Sequence, residues 1–291
     1  LLFNAQSLCN KLCDLDYLLQ NTKPDIVFIT ETWLTPDMTN GLLDKHKVYN
    51  IYRADRSTRG GGVAIFCHRR LHSIEVSVDS SFENLELVNI NVMFGKSIFN
   101  FINVYRPPSS GDVAKNYVDL LANYLQHACD NKLTNIVVGD FNLPLIDWFR
   151  GVCPHDDINL PFYNVISELG LIQFVEIATR DNSLLDLVFS DDPLIMANIE
   201  VQCPFSCSDH ATVAFDLLLP KQNHDTGNIK TSFCSCFNDY YYNFEQADYV
   251  SIRGALSAYN WDSLIDSCSD VEHAWSVFVD IINSVVAQYV P

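Results

Sequence analysis

The sequence is short of positive charge. Its 291 residues carry 18 Lys and Arg against 36 Asp and Glu, a formal net charge of −18, which excludes a protein that grips nucleic acid by bulk electrostatics over its whole surface. A cysteine framework is also missing. Ten cysteines are scattered at Cys9, Cys13, Cys67, Cys129, Cys153, Cys203, Cys207, Cys234, Cys236 and Cys268, with no CxxC pair and no Cys/His spacing suited to zinc. A chain of this length needs no disulfide staples, so we expect reduced thiols in an intracellular protein. No secretory signal opens the sequence and no apolar run approaches the ~20 residues that span a bilayer, so no membrane partner is expected. The first residue is Leu1 and not Met, and we expect the chain to be a fragment of something longer.

What is present is a sizeable core. With 48% hydrophobic residues the chain can form one large domain, or a domain with an appendage. The little basic charge it has is gathered. Between Lys45 and Arg70 stand seven basic residues (Lys45, Lys47, Arg53, Arg56, Arg59, Arg69, Arg70) against one acid, Asp55. Such a strip is either an ordinary solvated surface or a local contact for phosphates. Arg53, Arg56 and Arg59 lead into Gly60, Gly61 and Gly62, a backbone that can approach a phosphate closely, so these three are the candidate DNA-facing residues.

Strands alternate with helical stretches along the chain. "DIVFITETWL" (Asp25 to Leu34), "GGGVAIFCH" (Gly60 to His68), "LELVNINVMF" (Leu85 to Phe94), "SIFNFINVYRPP" (Ser97 to Pro108), "NIVVGDFN" (Asn135 to Asn142), "LLDLVFS" (Leu184 to Ser190) and "HATVAFDLLL" (His210 to Leu219) read as strands. "VAKNYVDLLANYLQHA" (Val113 to Ala128) repeats apolar residues at three and four, as a helix packed on a sheet does. The mixed order predicts an α/β (α+β) fold with two packed mixed β-sheets flanked by helices. Beyond Pro220 the character changes. "KQNHDTGN" (Lys221 to Asn228) is linker-like, and "FEQADYVSIRGALSAY" and "DVEHAWSVFVDIINSVVAQYV" read as helices, the second with an apolar stripe of Trp275, Phe278, Ile282, Val285 and Tyr289 that suits packing on a neighbour. The expected division is therefore residues 1–220 and 221–291.

Polar residues recur where the core strands end. Asn4 follows "LLF", Glu31 follows "IVFIT", Tyr105 follows "FINV", Asp140 and Asn142 follow "IVVG", Asp186 sits in "LLDLVF", and Ser208, Asp209 and His210 precede "ATVAF". One such residue is a turn; this many could line one rim of a sheet sandwich. Carboxylates and amides are hard oxygen donors suited to Mg²⁺, and histidine titrates near neutrality. These are the groups that metal-assisted phosphodiester hydrolysis uses.

The ordered set "NAQSL", "FITETWL", "RGGGVAI", "NVYRPP", "VVGDFN", "LLDLVF" and "SDHATV" resembles the endonuclease/exonuclease/phosphatase superfamily. More closely, it resembles the apurinic-type endonuclease domain of LINE-type, non-LTR retrotransposons, over Leu1 to about Pro220. The tail, with "ADY", "W" and a closing "VP", is similar to the mainly helical connector that precedes their reverse transcriptase. The resemblance implies a four-layer α/β sandwich and Mg²⁺-dependent nicking of one DNA strand, with Mn²⁺ able to substitute. It implies a 3′-hydroxyl that primes reverse transcription, a target DNA, an element RNA and a reverse transcriptase domain as partners, and action in the nucleus. Residue by residue, it makes Glu31 the main metal ligand with Asn4 beside it, Asp140 the residue that positions or deprotonates the attacking water, Asn142 a holder of a phosphate oxygen, and Tyr105 and His210 donors to the scissile phosphate. Ser208 joins the candidate DNA contacts.

Two departures stand out. Gln6 occupies a place where related repair nucleases carry an acid, and Pro108 one where they carry an Asn, which argues against abasic-site specificity. If Asp209 and His210 lie in extended backbone, their side chains point to opposite faces, so the carboxylate that orients His210 should come from another strand, and the family pattern points to Asp186. Asp209 then becomes a metal-side acid or a supporting one. Two other readings of the same residues are a phosphatase acting on phospholipid headgroups and a decayed, non-catalytic DNA-binding module.

Overall fold

The computed structural model describes residues 1–95, 97–219, 247–266, 268 and 270–290. In chain order the strands are β1 (Leu2–Asn4), β2 (Ile26–Thr30), β3 (Tyr49–Ala54), β4 (Val63–His68), β5 (His72–Glu75), β6 (Glu86–Phe94), β7 (Ser97–Tyr105), β8 (Thr134–Asp140), β9 (Ile172–Gln173), β10 (Asp186–Ser190), β11 (Met196–Gln202) and β12 (Thr212–Leu217). Among the described residues they form two six-stranded sheets, one ordered β11-β12-β1-β2-β4-β3 and the other β5-β6-β7-β8-β10-β9. Both are mixed. β1 runs parallel to β2 and β7 parallel to β8, while the remaining neighbours are antiparallel. The two parallel pairs are those joined by helices, α1 (Leu12–Thr22) and α3 (Gly111–Cys129), because parallel neighbours need a long crossover; the short α2 (Asn40–Leu43) lies between β2 and β3.

The period of two along each strand sorts the core into three layers. Leu2, Ile26, Phe28, Val63 and Ile65 of the first sheet face Val88, Ile90, Phe101, Ile136 and Val188 of the second, and these fill the space between the sheets. The alternate residues Phe3, Val27, Ile29 and Phe66 pack outward against Leu15 and Leu19 of α1. On the other side Ile102, Val104, Val137 and Phe189 pack against Val118, Leu121 and Leu125 of α3 and against Phe162 and Val165 of α4 (Asn159–Glu168). The result is the expected four-layer sandwich. Both faces of the central strands are covered, which explains why they read as nearly continuous apolar runs.

One polar residue crosses the apolar middle. Asn103 of β7 is fully buried and its Nδ2 donates to the carbonyls of Ile29 and Ala64 in the opposite sheet, each at 3.0 Å. The tie leaves from a residue two before Tyr105 and arrives at one two before Glu31.

The chain divides into compact units Leu1–Asn223 and His224–Pro291. In the second, α5 (Tyr249–Ser257) and α7 (Val271–Tyr289) are each capped by an aspartate, Asp248 accepting from Ser251 N and Asp270 from His273 N. Between them lies α6 (Trp261–Asp266). Of the predicted stripe, Val285 is buried, Phe278 packs on Trp261 at 5.6 Å between ring centroids, and Trp275 stays exposed. The stretch Lys221–Asn228, read above as a linker, lies outside the described residues. No helix among the described residues is long and apolar enough to cross a membrane.

Candidate active site

The carboxyl ends of β1, β2, β7 and β8 fall at one end of the sandwich, and the sheet register aligns their terminal residues. Across the second sheet Glu86 stands opposite Tyr105, Tyr105 opposite Asp140, and Asp140 opposite Asp186. Gly139 makes this row possible. Its φ is +142°, and a Cβ there would lie 1.9 Å from the carbonyl oxygen of Val104, its register partner on β7. A side chain at that position would part the two strands that carry Tyr105 and Asp140.

The first sheet supplies the facing half. Asn4 ends β1 and Glu31 follows β2. Asn4 Nδ2 donates to Glu31 Oε1 and to Asp140 Oδ2, each at 3.0 Å, while its Oδ1 accepts from the backbone N–H of Gln6 at 3.0 Å. The backbone N–H of Gln6 can only donate, so the amide oxygen faces it and the nitrogen faces the acids. Asn4 therefore bridges the two acids with its nitrogen, and its oxygen is engaged elsewhere. Asn4 thus lies beside Glu31, bound to it through the amide nitrogen.

His210 closes the site from the first sheet. Its Nδ1 lies 2.8 Å from Asp186 Oδ2, with both side chains buried. The expected partner is thus the observed one, but the backbone is not as expected. β12 begins only at Thr212, and Ser208 to His210 form a bend in which His210 N donates to Ser208 Oγ at 3.2 Å and Ser208 Oγ to Asn4 O at 2.7 Å. Asp209 turns outward, 40% exposed, and pairs with Arg180 at 2.6 Å; its other oxygen lies 3.9 Å from His210 Nε2. Asp186 is held in turn by Thr179, whose Oγ1 accepts from the amides of Leu185 and Asp186 at 3.2 and 3.0 Å.

Crowded acids and one imidazole tune one another. Burial pushes the Asp140 carboxyl well above the usual carboxylate range, and the negative charge of Asp186 pushes it further. Burial works against a charged His210, but the hydrogen bond and charge of Asp186 outweigh it and hold the imidazole above its ordinary value. Tyr105 is raised by burial first and then by the charges of Glu31 and Asp140, with a hydrogen bond to Glu31, so its phenol stays a neutral donor. Asn142, at φ +49°, accepts nothing from these acids; its backbone N donates to Asp140 Oδ1 at 3.2 Å and its Nδ2 to Arg106 O at 2.9 Å.

The sequence profile described as the Endonuclease/Exonuclease/phosphatase family matches residues 1–210. The chain belongs to this family. Among solved structures with a similar fold, the endonuclease domain of TRAS1, a telomere-specific non-LTR retrotransposon, is 17% identical with a TM-score of 0.59, over 76% of this chain and 97% of that one. An AP endonuclease from Archaeoglobus fulgidus is 18% identical with a TM-score of 0.58, over 75% and 98%. The 3′ phosphatase NExo from Neisseria, bound to product DNA hairpin, is 15% identical with a TM-score of 0.57, over 75% and 98%. No curated protein matches the chain in sequence.

The donor set of this endonuclease/exonuclease/phosphatase chain fits a divalent cation. Side-chain N or O atoms of Asp140, Asp186 and His210 all lie within 4.8 Å of one another, and with the imidazole favoured in its charged, donor-only form the carboxylates are the atoms open to a cation. Asp186 Oδ1 is buried without a hydrogen-bond partner among the described residues, and an unpaired buried carboxylate oxygen calls for a cation or a proton. Glu31 adds a further carboxylate, whose two oxygens receive Asn4 Nδ2 and, at 3.1 Å, Trp33 Nε1.

The basic strip is less open than its composition implies. Arg53 pairs with Asp55 at 3.3 Å and bonds the Met38 carbonyl; Arg56 pairs with Glu86, which also accepts from Gly62 N at 2.6 Å. Arg59 is exposed, and its guanidinium lies 5.2 Å from the Trp33 ring centroid. Sequence reasoning missed Trp33, Thr179, Arg180 and the pair Tyr117–Tyr105, where Tyr117 OH donates to Tyr105 O at 2.8 Å. The "ETW" triplet offered a signal for Trp33, since it places an indole donor two residues from a rim acid.

Proposed function

We propose that this chain is a divalent-metal-dependent DNA endonuclease, most simply with Mg²⁺, that nicks one strand of a target and leaves a 3′-hydroxyl to prime reverse transcription for a non-LTR retrotransposon. The observation that carries the hydrolytic part is the alignment of Tyr105, Asp140 and Asp186 in one register row, bridged by Asn4 to Glu31 and completed by His210. Support for DNA and for the retrotransposon role comes from the ordered sequence motifs and from a retrotransposon endonuclease domain and a DNA-bound phosphatase among the proteins of similar fold. In this reading residues 1–220 are the nuclease and 221–291 the connector towards a reverse transcriptase acting in the nucleus.

Glu31 would hold the metal, with Asp209 outside its immediate shell; the cation, when bound, neutralises charge on the phosphate. The residues do the rest. Asp140, made a stronger proton acceptor by burial and Asp186, takes the proton of the attacking water at a carboxylate oxygen. Asn142 keeps one Nδ2 proton after donating to Arg106, and this points the residue to a phosphate oxygen. Tyr105 donates its phenolic proton and His210 its Nε2 proton to the charge that develops on the phosphoryl oxygens, Asp186 keeping the imidazole charged. Ser208 fixes the bend that carries His210, and Arg59 contacts the DNA backbone. Purified protein should convert supercoiled plasmid to open circles with Mg²⁺ and not with EDTA. A folded sample that fails to nick at every Mg²⁺ and Mn²⁺ concentration, or that cleaves a phosphoinositide instead, would overturn the proposal.

A further inference from the structure

Glu31 and its neighbours sit in a backbone that their residue types resist. Glu31 has φ +49° and Trp33 φ +53°, left-handed conformations that are uncommon for an acid and rarer for a bulky aromatic. Surrounding contacts hold them there. Thr32 N donates to Gly62 O at 3.1 Å and Trp33 N to Gly61 O at 2.9 Å, so the "ETW" turn is laced to the glycine run. Gly62 can carry no side chain, because a Cβ would come within 2.6 Å of Thr32 Oγ1. Strain of this kind persists only where the surroundings over-determine it, and it gathers at working sites.

The strained turn delivers one contact of chemical consequence, the indole N–H of Trp33 on Glu31 Oε2 at 3.1 Å. An indole nitrogen is a donor only, so it cannot compete with Glu31 for a cation. Each carboxylate oxygen has about two acceptor positions; Asn4 fills one on Oε1, Trp33 one on Oε2 and Tyr105 a third on the same group, which leaves the carboxylate able to accept once more with its plane already fixed. Arg59, exposed and with no carboxylate partner among the described residues, stacks on the ring of Trp33.

We propose that Trp33 is a positioning residue that pre-orients Glu31 for a divalent cation, with Arg59 steadying the indole from the glycine-run side. This rests on the nuclease reading, since it takes Glu31 as the metal-holding acid. Partners that orient a ligating carboxylate typically change metal affinity 10–100-fold. A residue that only packs would not change it selectively.

The test uses the full 291-residue chain and reads metal binding apart from turnover. Mn²⁺ is titrated by calorimetry, alongside plasmid nicking as a function of Mg²⁺. Trp33→Phe keeps a ring and deletes the N–H; it should weaken Mn²⁺ binding about tenfold and raise the Mg²⁺ needed for half-maximal nicking by a like factor, with the rate at saturating Mg²⁺ within about threefold. Arg59→Ala should weaken Mn²⁺ binding about two- to fivefold. Should Trp33→Phe melt early, the Arg59 variant carries the decision. Wild-type protein that binds Mn²⁺ and nicks, with variants of unchanged affinity or with losses in maximal rate alone, overturns the positioning role and leaves the nuclease standing. Wild-type protein that neither binds metal nor nicks overturns both.

Discussion

Replacing Gly139 by alanine tests the sheet geometry that aligns the site. Two penalties meet at this position. A φ of +142° is open to glycine and costs another residue about 1–3 kcal/mol. A methyl group would also lie 1.9 Å from a backbone oxygen of Val104, which cannot rotate away, so β7 and β8 must separate, an overpacking cost of about 1–3 kcal/mol. Together these give about 4 kcal/mol, and at roughly 2–4 °C per kcal/mol for a unit of this size the melting temperature should fall by about 8–16 °C. Gly170 provides the control, because its φ of +66° carries the conformational penalty while nothing lies within 4 Å of its would-be Cβ. Gly170→Ala should cost about 1 kcal/mol, or roughly 2–4 °C. Thermal melts of both variants by circular dichroism, with nicking measured well below the melting point, make the comparison. The Gly139 variant should also lose nicking while still folded, since the separation falls between Tyr105 and Asp140. Equal melting shifts in the two variants would refute the close-approach argument, and a folded Gly139→Ala protein with full activity would refute its link to the site.

Other expectations follow from the same geometry. Glu31→Gln should lower nicking and recover partly as Mg²⁺ is raised, whereas Asp140→Asn should not be rescued by metal; identical metal responses would show that the two acids do not divide the work as proposed. Arg59→Ala should weaken DNA binding on unrelated sequences alike and reduce the slope of log K against log salt by about 0.9, measured by fluorescence anisotropy without metal. Arg53→Ala and Arg56→Ala should instead lower the melting temperature with little change in that slope, because Asp55 and Glu86 already engage them. Burial pushes the thiols of Cys67 and Cys129 up to about 11 and about 12, so at pH 8 they should react far more slowly with a thiolate-selective reagent than exposed Cys9, Cys13, Cys203 and Cys207, as read by peptide mass mapping; the contrast should vanish in denaturant.

The fold was legible because its strands announce themselves twice, by apolar runs and by a polar residue at the end. "IVVGD" and "IVFITE" each end where the sheet ends, so the rim of the sandwich could be read from the order of residues. Pairings were not legible where they depend on distant segments. Arg56 finds Glu86 thirty residues away, outside the window whose charges were counted, so of the three arginines read as DNA-facing two are paired with acids and Arg59 alone is not. Asp186 as the partner of His210 was anticipated from the family resemblance, whereas the alternation used to set Asp209 aside does not exist there; Asp209 is turned away by the Ser208 bend and by Arg180. Nor can residue types reveal a left-handed Glu31 or Trp33, since neither residue favours that conformation.

The Asn103 tie gives the sandwich core a second duty. Glu31 belongs to one sheet and Tyr105 and Asp140 to the other, so the gap between the two halves of the site is set by how thick the apolar filling is and how far one sheet can slide over its mate. Asn103 pins that slide two residues from Tyr105 and from Glu31, its side-chain amide donating to backbone carbonyls of the facing sheet. The interior thus works as a calibrated spacer. Substitutions such as Phe28→Leu or Ile136→Val, far from any reacting atom, would act on turnover by changing alignment before they act on folding, and the precision of cutting would decay with temperature earlier than the fold itself.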